Sequence, residues 1–272
     1  MKQKISSEGG KPSDITICML SSGSKGNSIY ISDGITSVLI DAGLSGVEIE
    51  RRMKSKGFSP ENLDAIIVSH EHADHIHGVG VLSRRFAVPV HLSHKTYKAA
   101  SPFLGRIEVV RTFECGMNFR INDISFHPFS ISHDAEDTAG FTVSQNSTKI
   151  GIATDLGIAT TMVKEHLKKC SVLILEANHD PDMLANGPYP WHLKQRIKSR
   201  TGHLSNEQSK ALLQEIQHYD LKHVILSHIS ETNNTPQKAI SVVGQAITCR
   251  SARLDAAGQY EAGNLIRIPE RL

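Results

Sequence analysis

The sequence predicts an α/β protein in which short buried strands alternate with helices. Apolar runs rich in β-branched residues recur along the chain, segments with helical spacing lie between many of them, and this order is similar in the two halves. The 272 residues suffice for one large α/β domain or two small ones. A hydrophobic content of 39% suffices for a packed core.

In the first half, strands are expected where β-branched and apolar residues cluster between turns, at 14–20, 29–32, 36–40, 63–68 and 89–92. Helices are expected where the spacing is helical, at 45–56, 76–86 and 94–100. Gly57 ends the first of these helices. The glycine- and serine-rich loop at 21–28 is either a tight turn or a nest of backbone N–H groups for a phosphate.

In the second half, the same signals predict strands at 107–111, 117–121, 124–131, 141–144, 149–153, 172–175, 224–226 and 265–268. Helices are expected at 206–219, where Ser205 and Gln208 match a capping box, and at 236–247. Because no linker divides the chain, we expect a single domain over 14–272 after a flexible polar tail at 1–13.

Composition narrows the class of protein. The net charge of +2 is too small to indicate a nucleic-acid or membrane partner by itself. No apolar run approaches the length of a membrane span, and the first residues lack a signal-peptide core. Thiols in a reducing compartment are expected, because the cysteines are dispersed and form no C-x-x-C pair: Cys18, Cys115, Cys170 and Cys249. A soluble cytoplasmic protein without membrane contact is therefore expected.

A histidine-rich cluster follows the buried strand at 63–68. Four candidate metal ligands lie within six positions: His70, His72, Asp74 and His75. Alternate residues of an extended segment share a face, so the first three can point one way, and His75 joins them only if the chain turns there. Four ligands exceed the need of one open catalytic site, which favours two metal ions over a polar loop without metal.

Further candidate ligands lie where other strands are expected to end. His133 and Asp155 follow two strands, and His228 follows a third. Asp41 ends the strand at 36–40 and is either a brace for the metal-ligand loop or a helix cap. Strand ends are the usual place at which a rigid sheet presents a site.

These residues resemble the metallo-β-lactamase superfamily, through the pattern His-x-His-x-Asp-His at 70–75 and the later strand-end ligands. The chain also resembles the YycJ/WalJ exonuclease branch, through blocks at 22–28, 132–135, 176–180, 189–191, 194–197, 202–206 and 233–234. Leu156 stands where the branch usually has Thr, and Thr138 where it often has Pro. Neither departure removes a ligand.

The resemblance implies a four-layer αββα sandwich with two divalent ions, Zn or Mn, with Fe as a further option. It assigns one ion to His70, His72 and His133, the other to Asp74, His75 and His228, and a bridging role to Asp155. A hydroxide between the ions would attack the substrate. Asp41 and His179 would support these ligands from behind, although His179 also suits the rim of the site.

The resemblance also implies catalytic roles. Asp74 would orient the hydroxide or accept its proton. Glu176 and His203 resemble an acid–imidazole pair beside the leaving 3′-oxygen; without the resemblance, a strand-end cap and a helix-entry residue are the simpler interpretations. The implied reaction is 5′-to-3′ exonuclease cleavage of DNA.

Substrate contacts are expected from Ser24 and Asn27 in the early loop and from the basic stretch at 191–200, which is otherwise a solvated helix face. The cations of this stretch that could contact DNA phosphates are Lys194, Arg196, Lys198 and Arg200. Trp191 either stacks a base or packs against the protein.

Alternatives to the exonuclease function are a small-molecule or cyclic phosphodiesterase, a thioester or lactone hydrolase, and an inactive metal-stabilised DNA-binding module. The sequence does not indicate an oligomeric state.

Overall fold

The computed structural model describes residues 14–249 and 251–269, so the expected tail at 1–13 lies outside the described residues. Within them, two mixed sheets of seven strands each are flanked by helices, which confirms the predicted α/β class. The strands are β1 (Ile15–Ser21), β2 (Ser28–Ser32), β3 (Ser37–Ile40), β4 (Ala65–Ile67), β5 (Val90–Ser93), β6 (Val110–Phe113), β7 (Phe119–Ile121), β8 (Ile124–Ser130), β9 (Ala139–Gln145), β10 (Thr148–Ala153), β11 (Val172–Glu176), β12 (His223–Ser227), β13 (Arg253–Ala256) and β14 (Ile266–Ile268).

The helices are α1 (Gly46–Ser55), α2 (Ala73–Ile76), α3 (Val79–Phe86), α4 (His94–Leu104), α5 (Thr161–Leu167), α6 (Pro181–Asn186), α7 (Trp191–Lys198), α8 (Asn206–Ile216) and α9 (Pro236–Val243). No helix in the described ranges is both long and apolar enough to cross a bilayer.

The chain divides into two compact units. Among the described residues, unit 1 contains those up to Phe126, Ser144–Thr148 and those from Gly258 onward, and unit 2 contains His127–Val143 and Lys149–Ala257. Each unit has its own buried apolar cluster. A single domain over 14–272 stays a prediction.

The first sheet, ordered β14-β1-β2-β3-β4-β5-β6, brings two strand ends together in unit 1. β3 and β4 are parallel neighbours, with Ile40 opposite Ile67. Their carboxyl ends therefore lie side by side, and Asp41 leaves one strand beside the segment that leads from the other to His70. The wholly buried, β-branched and apolar β4 makes this edge a rigid support.

The second sheet, ordered β13-β12-β11-β10-β9-β8-β7, aligns three strand ends in unit 2. β10, β11 and β12 are parallel, with Ala153 opposite Leu175 and Glu176 opposite Ser227. The carboxyl ends of the three strands consequently lie at one edge, where Glu176 ends β11 and where Asp155 and His228 follow β10 and β12. The wholly buried β11 and β12 anchor that edge.

Three short elements were not expected from the sequence: α5, α6 and β13. α5 and α6 had start signals, because Thr160 and Asp180 cap them and Pro181 occupies the first turn of α6. β13 alternates exposed and half-buried residues, so it lacks the apolar run that predicted the buried strands.

The helix predicted at 76–86 is two helices in the structure, α2 ending at Ile76 and α3 beginning at Val79. Gly78 lies between them, and a Cβ there would lie 2.4 Å from the Leu44 carbonyl oxygen.

Candidate metal centre

Asp41 braces the histidine loop of unit 1. Its Oδ1 accepts a hydrogen bond from the Ser69 backbone N–H at 2.8 Å, and its Oδ2 accepts one from Ser69 Oγ at 2.8 Å. The same Oδ2 lies 2.8 Å from His75 Nδ1, and Ser69 Oγ lies 2.9 Å from His70 Nδ1. The Nδ1 atoms of both imidazoles thus face the support, which leaves Nε2 as the nitrogen for a metal. Ser69 was not expected from the sequence, although it directly precedes His70.

Backbone contacts fix the short helix that carries Asp74 and His75. α2 begins after His72, so the chain turns before His75, as the predicted convergence requires. The Asp74 carbonyl accepts from Asn27 N at 2.7 Å, and the His75 carbonyl accepts from Ala42 N at 2.9 Å. A Cβ at Gly43 would lie only 1.6 Å from the Asp74 carbonyl oxygen, so only glycine permits this approach.

Asn27 lies beside two candidate ligands in unit 1. Its Nδ2 is 3.1 Å from Asp74 Oδ2 and 3.0 Å from His75 Nε2. With Nδ1–H held by Asp41, His75 Nε2 accepts from the Asn27 amide, so a metal at this Nε2 would displace that hydrogen bond. A contact from Asn27 to substrate stays a prediction. Ser24, in the same loop, is exposed.

Unit 2 gathers its candidate residues around Glu176. Donor atoms of four side chains lie within 4.8 Å of one another: Asp155, Glu176, His203 and His228. Glu176 Oε1 is 2.8 Å from His203 Nδ1 and 2.8 Å from His228 Nδ1. His228 Nδ1 also lies 3.3 Å from Asp155 Oδ1.

Glu176 is a brace and not a metal ligand, because its lone pairs are already engaged. Oε1 faces the two imidazoles, while Oε2 accepts from Leu156 N at 2.8 Å and from Leu204 N at 3.0 Å. Burial on its own would raise the pKa of Glu176, but the His203 charge and the imidazole hydrogen bonds outweigh it and hold the pKa below its ordinary value. An ionised Glu176 keeps the Nδ1–H tautomer of both rings.

His133 completes the residues of unit 2 that were expected to bind metal. Its Nδ1 donates to the Gly202 carbonyl oxygen at 3.3 Å, so Nε2 is again the nitrogen for a metal. Burial lowers the pKa of His133, which favours the neutral, metal-binding form. His133 Nε2 lies 3.8 Å from Asp155 Oδ1.

A buried asparagine network, missed from the sequence, holds the loops after β11 and β12. Asn234 Nδ2 donates to the Ala177 carbonyl and to Asn206 Oδ1, and Asn206 Nδ2 donates to Asn234 Oδ1. Asn178 Nδ2 donates to the His228 carbonyl at 2.9 Å. The side-chain amides thereby satisfy backbone groups next to Glu176 and His228.

His179 is buried beside the same loops. Its backbone forms a bridge with Ser205, and burial lowers its pKa to about 4. Its Nδ1 has no hydrogen-bond partner among the described residues. Its role as a supporting residue stays a prediction.

Three of the candidate residues adopt left-handed backbone conformations where strands end: Asp41 with φ 60°, Asp155 with φ 56° and His228 with φ 52°. Such values are uncommon outside glycine and cluster at functional sites. Asp and His are among the non-glycine residues that adopt this conformation most often, and Ala87, Asn122, Asn146 and Lys169 also adopt a positive φ outside the candidate residues.

The two predicted cationic contacts are already engaged. Lys194 Nζ donates to the Ala185 carbonyl oxygen at 2.7 Å, and Arg196 Nε donates to Asp134 Oδ2 at 2.5 Å. Both lie on α7, whose last turn contacts the loop before His203.

The chain is similar to known proteins over most of its length. The family described as the β-lactamase superfamily domain matches residues 36–229. The chain belongs to the β-lactamase superfamily. Within it, the chain belongs to the YycJ/WalJ branch: it is 35% identical over 231 residues to exodeoxyribonuclease YycJ of Bacillus anthracis, covering 84% of this chain and 88% of that protein.

Exodeoxyribonuclease WalJ of Streptococcus pneumoniae is 36% identical over 225 residues, covering 81% of this chain and 84% of that protein. Among solved structures, the metallo-β-lactamase fold protein YhfI of Bacillus subtilis superposes with a TM-score of 0.73 at 15% identity, covering 94% of this chain and all of that one. The superposition confirms the expected fold family.

The donor set of this superfamily member fits a divalent ion. Imidazole nitrogens and carboxylate oxygens without thiolates suit Zn, Mn or Fe. Carboxylates hold the Nδ1 atoms of His75 and His228, as ligand histidines require. The fold and these residues together imply that the protein uses divalent metal.

Proposed function

We propose that this chain is a metal-dependent phosphodiester hydrolase that degrades DNA as a 5′-to-3′ exonuclease. The observation that carries the proposal is its identity of 35% and 36%, over most of the chain, to two proteins named exodeoxyribonucleases. The Glu176–His203 contact adds support, because it supplies a positioned proton donor that ester cleavage requires.

Two divalent ions are proposed as cofactors, with the ligands implied by the resemblance. One set is His70, His72 and His133; the other is Asp74, His75 and His228; Asp155 belongs to both. When bound, such ions activate water near neutral pH and neutralise charge on phosphate oxygens. The identity of the ions as Zn, Mn or Fe, and a cytoplasmic location, stay predictions.

The residues of the chain then perform two proton-handling tasks. Asp74, oriented by the Asn27 amide, accepts the proton of the attacking water at a carboxylate oxygen. His203 acts as the imidazolium: its Nδ1–H stays on the Glu176 carboxylate, its Nε2 gives its proton to the leaving 3′-oxygen, and the ring is left as the neutral Nδ1–H tautomer. The P–O3′ bond breaks, and a nucleotide with a 5′-phosphate leaves.

The test uses chelator-stripped protein reloaded with Mn²⁺ or Zn²⁺ and incubated with end-labelled duplex DNA, with and without a 5′-phosphate. Mononucleotides released in order from the 5′ end are expected from the wild type, and none from Asp74→Ala. Asp182→Ala, at an exposed position on α6, is the matched control and should cleave normally. Hydrolysis only of a cyclic nucleotide or a thioester would contradict the proposal, as would binding of DNA by metal-loaded protein without cleavage.

A further inference from the structure

Helix α7 presents an exposed aromatic and basic face in unit 2. Trp191, the only tryptophan of the sequence, begins the helix and is 74% exposed. The segment 191–200 contains four Lys or Arg residues and no Asp or Glu. An exposed indole within a stretch that carries cations and no anions of its own is unusual for a surface that faces only solvent.

Two of the four cations are engaged and two are not. Lys194 binds a backbone carbonyl and Arg196 pairs with Asp134. Lys198 and Arg200 have exposed side chains, and neither forms an ion pair with any residue in the described parts of the chain. Lys198 and Arg200 are therefore the cations available to an anionic partner.

The helix geometry aligns the indole with one of these cations. Trp191 and Lys198 are seven residues apart, so they lie on the same face, separated by about 10 Å along the axis. A base stacked on the indole would leave the phosphates that follow it within reach of the Lys198 ammonium.

The end of α7 nearest Lys198 is joined to the His203 loop. His203 N donates to the Ile197 carbonyl oxygen at 2.9 Å, and Gly202 N donates to the Ser199 carbonyl at 3.0 Å. A Cβ at Gly202 would lie 2.2 Å from the Ile197 carbonyl oxygen, so glycine permits this contact. A strand that follows α7 from Trp191 toward Lys198 thus runs toward His203.

We propose that α7 is a track for an unpaired DNA strand, in which Trp191 stacks a base and Lys198 and Arg200 contact phosphates. Of the four cations expected from the sequence to contact phosphates, Lys194 and Arg196 then serve mainly to hold the helix in place. The inference rests on the proposed function and deepens it, since bases within a duplex are already stacked and cannot use the indole. A duplex end must therefore fray before its 5′ strand enters the track, and a closed duplex binds the track less well than a single strand.

The single tryptophan makes the proposal directly measurable. Metal-loaded full-length protein is titrated with an unlabelled single-stranded oligonucleotide, whose phosphorothioate linkages slow cleavage, while Trp191 emission is recorded. Binding is measured in parallel from the anisotropy of a labelled oligonucleotide. We expect loss of emission that saturates together with the anisotropy, and a smaller loss with a closed hairpin duplex.

Variants then separate stacking from charge. Trp191→Ala should weaken single-strand binding roughly 5- to 150-fold, Trp191→Phe should weaken it less, and Tyr219→Ala, at an exposed aromatic of the same unit, should not change it. Lys198→Ala combined with Arg200→Ala should lower the slope of log affinity against log salt by about 1.4. Lys95→Ala combined with Lys98→Ala, at exposed positions on α4, is the matched control.

Two results would overturn the inference while the proposed function survives. One is DNA binding with unchanged Trp191 emission and an unchanged salt slope in the Lys198/Arg200 variant. The other is emission loss as large with the closed hairpin as with the single strand. Absence of any anisotropy change with single-stranded or duplex DNA would overturn the proposed function and the inference together.

Discussion

The two units carry their candidate residues in different ways. In unit 1, four candidate ligands come from one six-residue stretch at 70–75, and one carboxylate, Asp41, braces it. In unit 2, the candidates come from separate strand ends and loops, and Glu176 holds two of their imidazoles. Asp41 is 4% exposed and Glu176 is fully buried.

Both units contain a buried carboxylate that accepts a hydrogen bond from imidazole Nδ1, which leaves Nε2 on the opposite side of the ring for a metal. The difference lies in how much depends on each carboxylate. Asp41 contacts one imidazole directly and reaches a second through Ser69, whereas Glu176 contacts two imidazoles and two backbone N–H groups. Loss of the Glu176 charge should therefore be the more damaging change.

The largest effect is expected from Glu176→Gln. The amide keeps the shape but removes the charge and places N–H groups against imidazole donors, so cleavage should fall about 10²- to 10⁴-fold. Stability should fall by about 3 kcal/mol, because a buried charge partner is lost. Rates on labelled DNA and denaturant unfolding measure the two effects.

Glu165→Gln, at an exposed ion pair with Lys168 in the same unit, is the control and should change neither quantity. Wild-type cleavage by the Glu176→Gln protein would contradict the expectation that loss of the Glu176 charge is more damaging than loss of the Asp41 charge.

A smaller effect is expected from Asp41→Asn. His75 would lose its anionic partner, so metal affinity should fall about 10- to 100-fold while the fold is retained. Competition with a metal-binding dye measures the affinity. Asp123→Asn, an exposed carboxylate in the same unit, should bind metal like the wild type; equal affinities in Asp41→Asn and Asp123→Asn would show that Asp41 does not support a ligand.

A still smaller effect is expected from Asn234→Ala, which tests whether unit 2 needs its asparagine network. The change leaves the Ala177 carbonyl and the Asn206 amide without their partner, so unfolding free energy should fall by about 1–3 kcal/mol. Thermal unfolding measures it, with Asn186→Ala at an exposed position as the control. Equal melting temperatures for the two variants would contradict a structural role for the network.

A pH-dependent effect concerns His91, a unit 1 histidine on β5 outside the ligand sets. Burial, with a contribution from the Arg111 charge, lowers its pKa to about 4. Between the ordinary histidine pKa of about 6.5 and this value, the unfolded chain binds a proton that the folded chain does not. Stability should therefore fall as pH decreases through this window.

His91→Phe, which preserves the stack on Phe119 at 5.4 Å, should flatten that decrease in denaturant unfolding measured from pH 7 to pH 4. His94→Phe, at an exposed position, should leave it unchanged. Parallel curves for His91→Phe and the wild type would rule out His91 as the source.

The local parts of this arrangement could be predicted from the sequence, and the long-range parts could not. The ligand cluster at 70–75 and the capping box at Ser205 are formed by residues close together in the chain. Their spacing in the sequence was therefore sufficient to predict them. The contacts of Asp41 with Ser69 and of Asn178 with the His228 carbonyl join residues 28 and 50 positions apart. Those pairs depend on parallel strand register, which no local pattern encodes.

The left-handed backbone at Asp41, Asp155 and His228 has a consequence for any attempt to improve this protein by directed evolution. Glycine or asparagine at these positions would relax the backbone, by an amount on the order of 1 kcal/mol each. The same replacements would remove the buried hydrogen bonds that Asp41 and His228 make, each worth about 1–3 kcal/mol. A library screened for thermal tolerance therefore weighs a relaxed backbone against these contacts, and a screen for activity should hold the three positions constant.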